Sequence, residues 1–70
     1  MTFFDLMDEL KKNPSLKITR ELWDTPHYYI YWNTQQNAFY EHFSNIDREW
    51  ASESQTFFED VSAKDWVKIA

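Results

Sequence analysis

Leu16-Lys17-Ile18-Thr19-Arg20-Glu21-Leu22-Trp23, then Asp24-Thr25-Pro26, then His27-Tyr28-Tyr29-Ile30-Tyr31-Trp32: the reading of this stretch decides the fold. From Leu16 the pattern has a period of two, with Leu16, Ile18, Arg20 and Leu22 on one side and Lys17, Thr19, Glu21 and Trp23 on the other, which is a strand. After the turn, five aromatic rings fall within six residues and read as a second strand with rings on both faces. Arg20 sits on the apolar side of the first strand. A guanidinium there is costly unless it meets an internal carboxylate, is turned outward by a bulge, or is held for an anion. Glu41 and Asp65 are the candidate carboxylates. An arginine beside aromatic faces is also the chemistry of a nucleotide pocket, with paired donors for a phosphate and a stacking surface for a base. The plainer reading makes the rings core and Arg20 a cation lying over them.

Working outward, Phe3, Leu6, Met7 and Leu10 form a helical stripe, and Asp5, Asp8, Glu9, Lys11 and Lys12 take the other side. This predicts an amphipathic helix over Thr2 to Lys12, capped by Thr2 with Asp5 answering three residues on, with Met1 closing over Leu6 and Asn13-Pro14 ending it. Downstream, Ala38 to Phe43 reads as a strand that pairs with His27 to Trp32 across a loop of four or five residues, since the chain has no glycine for a two-residue primed turn. Ser44 to Gln55 is polar and acidic, an ordered loop or short irregular strand anchored by Ile46 and Trp50. Trp50 is either a ring packed on the core or one that closes a pocket. Thr56-Phe57-Phe58-Glu59 repeats the pattern of Thr2-Phe3-Phe4-Asp5 and predicts a second capped helix from Phe57 to about Lys64. Trp66 to Ile69 alternates as a last strand. The expected architecture is an α+β domain spanning 1–70, its N-terminal helix packed on a small antiparallel sheet of about 16–23, 27–32, 38–43 and 66–69, with the short helix before the last strand.

Seventy residues without cysteine must stabilise a small core without disulfides, and fourteen aromatic side chains exceed what two layers of this size hide. A homodimer, or a tetramer made of dimers, with rings from His27 to Trp32 in its interface is the expectation that follows. The net charge of −5 resides in residues 41–60, where six acids face Arg48 alone. That balance argues against a nucleic-acid backbone as partner, which needs basic residues to displace counterions. No apolar run approaches the ~20 residues of a membrane span. The acidic first ten residues do not resemble a secretion signal, so the cytoplasm is the expected location.

Catalytic chemistry finds no foothold. Without glycine there is no phosphate loop, dinucleotide fingerprint or nucleophile elbow. His27 and His42 face each other across the expected hairpin but lack further ligands at recognisable spacing, so no metal is expected. No cofactor and no enzyme activity are expected either.

Phe4, Leu6 and Leu10 in the first helix, Arg20-Glu21-Leu22-Trp23, Tyr29-Ile30-Tyr31 and the closing Glu59-Asp60-Val61-Ser62-Ala63-Lys64-Asp65-Trp66-Val67 resemble a family of small phage proteins that includes the second type of Thoeris anti-defence protein. The resemblance runs from about Phe4 to Ile69, with Asn13-Pro14-Ser15 where the family usually carries a glycine, and a shorter middle section. It implies a non-catalytic sponge that binds the cyclic ADP-ribose isomer signalling infection and leaves it unchanged. Arg20 and Trp23 match the family's Arg-x-x-Trp positions and would take phosphate and base; Tyr29 and Trp50 complete the candidate ligand-binding set. Asp65-Trp66 would be a turn and a core anchor. The alternative is an anti-CRISPR-type inhibitor whose acidic segment blocks a nucleic-acid site on a bacterial defence protein.

Overall fold

The computed structural model describes residues 1–23, 27–51 and 57–69. Helix α1 (Phe3–Lys12) leads into strand β1 (Ile18–Arg20) and a single 3-10 turn (Glu21–Trp23). Strands β2 (Tyr29–Asn33), β3 (Ala38–Phe43) and β4 (Ile46–Glu49), helix α2 (Phe57–Val61) and strand β5 (Trp66–Lys68) follow. The five strands form one antiparallel sheet in the order β4-β3-β2-β1-β5. The arrangement is the expected α+β one, with the short helix before the last strand.

Helix α1 begins as its sequence dictates. The Thr2 hydroxyl accepts from the Asp5 N–H at 3.2 Å, and the Asp5 carboxylate accepts from the Thr2 N–H at 2.9 Å, so two N–H groups without a helical partner are satisfied reciprocally. The Thr2 N–H first, and then the Thr2 hydroxyl, hold the Asp5 carboxyl below its usual range. Met1 is exposed and does not close over Leu6. Its backbone is used instead: its ammonium donates to the Lys64 carbonyl and its carbonyl accepts from the Trp66 N–H. Phe3, Leu6 and Leu10 bury the stripe against Leu16, Ile18, Ile30, Trp50 and Trp66 in one core. Each of the two leucines, fully buried, is worth on the order of 2–5 kcal/mol against alanine.

The sequence pattern and the structure part company at three further places. The expected strand over 16–23 stops at Arg20, because Glu21–Trp23 coil into the 3-10 turn. That turn breaks the parity: Leu22 is thrown out to solvent, and Trp23 comes in to pack on the core. Second, Ile46–Glu49 is a regular strand, joined to β3 by Ser44 and Asn45, both at positive φ (54° and 64°). A two-residue turn with both residues left-handed fits the strand twist, and here Ser-Asn provides it without glycine. The loop before β3 is the four-residue connection expected, fastened by the Asn33 side chain accepting from the Gln36 N–H and closed by a left-handed Asn37. Third, α2 ends at Val61 rather than near Lys64. The Ser62 hydroxyl donates back to the carbonyls of Phe58 and Glu59, a local bond that competes with helix continuation. The expected cap of α2 at Thr56 lies outside the described residues.

Candidate functional site

The expected ligand set does not converge on one place. Arg20 lies at the inner end of β1, its side chain 13 % exposed, between two aspartates. Its Nε donates to Asp65 at 2.8 Å and its Nη1 to Asp60 at 2.7 Å. Asp65 also accepts from the Leu22 N–H at 2.9 Å, while its own carbonyl accepts from the Glu21 N–H. Burial alone would lower the Arg20 pKa, but the bonds to Asp65 and Asp60 outweigh it and hold the charge in place. The Asp65 carboxyl is correspondingly lowered, by Arg20 first and then by the Leu22 N–H. Of the two carboxylates weighed from sequence, Asp65 is a partner and Glu41 is not; the second partner is Asp60, which was not among the candidates.

Trp23 stacks on Tyr28 with centroids 4.0 Å apart and planes 9° from parallel, and turns its edge to Trp66. One face of the indole is therefore taken within the chain. Trp50 is a core ring. It is buried among Phe3, Phe57 and Trp66 at 4.7–5.8 Å, so in the single chain it packs the interior. Among the described residues its indole N–H has no hydrogen-bond partner. Trp66 is fully buried with its indole N–H on the Asp60 carbonyl, the core anchor that the resemblance implied. Arg20, Asp60, Asp65 and Trp66 thus form one fastening between β1, α2 and β5.

Tyr29 is elsewhere, on the face of the sheet opposite the core. The register lays two rows across that face. Tyr29, His42 and Asp47 are neighbours in one row, continued by Thr19 and Val67; Tyr31, Tyr40 and Glu49 are neighbours in the other. Tyr29 and His42 stack at 4.8 Å and 16°, Tyr29 and Tyr31 lie 5.9 Å apart, and Tyr31 and Tyr40 6.1 Å. The Lys17 ammonium lies 4.9 Å above the Tyr29 ring, a cation on the negative face of a π system. At the other margin His42 Nδ1 meets Asp47 at 2.6 Å. Partial burial, then Asp47, raises the Tyr31 phenol above its ordinary pKa. None of the described helices lies on this side: the core that α1 packs on is built from Ile18, Ile30 and Trp66, on the other face.

His27 and His42 do share a cleft of about 470 Å³ with Phe43, Ser44 and Asn45. Among the described residues no group of three or more His, Cys, Asp or Glu is placed to hold a metal ion. None of the described helices is long and apolar enough to cross a membrane. The chain matches no protein-family model, no curated protein and no solved structure at a significant level.

Proposed function

We propose that this protein is a non-catalytic binding protein that sequesters a cyclic nucleotide immune signal of the cyclic ADP-ribose class. The observation that carries the reading is the open ring surface of Tyr29, Tyr31, Tyr40 and His42 with the Lys17 ammonium over it. Stacking on such rings is worth about 1–3 kcal/mol per base, and Lys17 offers a cation to a phosphate. The ligand class comes from the resemblance of sequence to the phage anti-defence family. Arg20 and Trp23 support the site from behind as framework, because Arg20 already serves two aspartates.

One flat face is too little for the nanomolar binding, about −12 kcal/mol, that a sponge needs. Two copies face to face would supply it, and the charge layout favours that pairing. The register puts Lys17 on the β1 side of that face beside Tyr31, and Asp47 and Glu49 on its β4 margin. A two-fold axis along β2 lays β1 of each copy over β3 of the other, so the half of each face that carries Lys17 lies over the half that carries the acids, a self-complementary interface with aromatic rings at its centre. A ligand held between two such faces is stacked from both sides.

Calorimetric titration with cyclic ADP-ribose isomers tests the reading. Binding is expected for the wild type and roughly ten- to a hundredfold weaker binding for Tyr29→Ala, with light scattering giving a dimer or tetramer. A wild type that takes up none of the isomers sinks the sponge. The acidic, fully exposed edge strand β4 then favours the other reading, an inhibitor that covers a basic nucleic-acid site on a defence protein.

A further inference from the structure

On the core side of the β3–β4 hairpin, Glu41, Phe43, Ser44, Ile46 and Arg48 line a cleft of about 240 Å³. Its apolar part is Phe43 and Ile46, paired across the hairpin and both half or more exposed. Its polar part is a cation fixed from beneath. Arg48 Nε donates to Glu41 Oε2 at 2.8 Å, and Glu41 Oε1 accepts from the Tyr28 hydroxyl at 2.8 Å. The Glu41 side chain is 4 % exposed, whereas that of Arg48 is 73 % exposed. Anchoring a guanidinium through Nε leaves its terminal nitrogens as a planar fork of donors, the geometry that suits a carboxylate. The same molecule shows that one guanidinium accommodates two carboxylates in this way, for Arg20 gives Nε to Asp65 and Nη1 to Asp60.

We propose that this cleft binds a small carboxylate carrying a ring-sized apolar group, with the carboxylate on the terminal nitrogens of Arg48 and the ring against Phe43 and Ile46. Charge decides for a monoanion. The Arg48–Glu41 pair is neutral as a unit and the chain carries −5, so a phosphate dianion meets more repulsion here than a carboxylate does. Size agrees, since an apolar cavity of about 150 Å³ is enough for benzene and the cleft adds room for a short acid arm. The cleft lies on the opposite side of the sheet from Tyr29 and does not depend on the nucleotide reading.

The test uses 3-phenylpropionate and its neutral amide, titrated into the full chain and followed through the backbone amide resonances. The acid is expected to shift Phe43, Ser44 and Ile46 and to bind about ten- to a hundredfold more tightly than the amide, the usual worth of a charge-assisted hydrogen bond. Arg48→Gln should erase the difference between acid and amide, Ile46→Ser should weaken both, and Tyr29→Ala should leave both unchanged. Equal binding of acid and amide, discrimination that survives Arg48→Gln, loss of binding in Tyr29→Ala, or no binding of the acid up to about 10 mM would each overturn the assignment. Arg48→Lys provides the check on folding: it keeps the charge on an exposed side chain, and should keep the unfolding midpoint while losing most of the discrimination.

Discussion

Arg20 and Arg48 make the same first contact, Nε to a carboxylate oxygen at 2.8 Å, in opposite settings. Arg20 is 13 % exposed and ties acids 40 and 45 residues further along the chain, so it joins β1 to α2 and to the approach of β5. Arg48 is 73 % exposed and meets an acid seven residues away, on the neighbouring strand of its own hairpin. In the first pair both charges have lost most of their water, so neither tolerates the loss of the other. In the second only the glutamate has, and the arginine keeps its solvent. An ion pair's distance says little about its role; burial of the two partners decides between a structural fastening and a charge on offer.

The largest effect should come from breaking the first pair. Arg20→Ala takes the guanidinium away from the buried Asp60 carboxylate and from Asp65, and is expected to cost about 3–5 kcal/mol. A chain of this length has a total stability of only roughly 4–10 kcal/mol, so the variant should be close to unfolding. Arg48→Ala leaves Glu41 with the Tyr28 hydroxyl and access to water from the cleft, and should cost about 1–2 kcal/mol. Urea unfolding of both variants at neutral pH measures the difference. If the two costs are equal, the distinction drawn from burial is wrong. If Arg20→Ala is harmless yet abolishes nucleotide binding, Arg20 belongs to the ligand after all.

How far the sequence foretold this follows from the range of each interaction. The helix stripe, the Thr2–Asp5 cap and the β2–β3 hairpin rest on neighbours within a few residues and were legible. Strand β4 was hidden because its turn, Ser44-Asn45, lacks the glycine by which such turns are recognised, and because its four side chains are all exposed, leaving no burial pattern to read. For Arg20, the parity of β1 showed that it needed a partner, but not which one. Choosing Asp60 over Glu41 required knowing that α2 presents its acid inward beneath Trp66, a matter of tertiary placement. The candidate site was legible in part for the same reason: Tyr29 is open on the sheet's outer face, but Trp50 and Arg20, marked as ligand residues, proved to be interior and engaged. Arg48, an exposed cation, looked in sequence like the lone positive charge of an acidic segment.

A smaller effect sharpens the comparison, because the two clusters should fail at opposite ends of the pH scale. In the Arg20 cluster the Asp65 carboxyl is depressed by Arg20 and the Leu22 N–H. Its contribution is fully present above the unfolded carboxyl's pKa of about 3.9 and is lost as the pH falls through the lower, folded value. In the Arg48 cluster the titrating group is the Tyr28 phenol, raised first by burial and then by its bond to Glu41. A raised pKa contributes stability that is complete below the unfolded phenol's value of about 10 and is lost as the pH rises beyond it. Unfolding midpoints across the pH range should therefore show an acid limb that flattens in Asp65→Asn and an alkaline limb that flattens in Tyr28→Phe. The acid limb should persist in part, since Asp5 is held down by Thr2 in the cap of α1, and the alkaline limb likewise, since Tyr31 is also raised. What matters is the crossing. If Asp65→Asn altered the alkaline limb, or Tyr28→Phe the acid one, the two clusters would be energetically one network, and Arg48 would be as much a part of the fastening as Arg20.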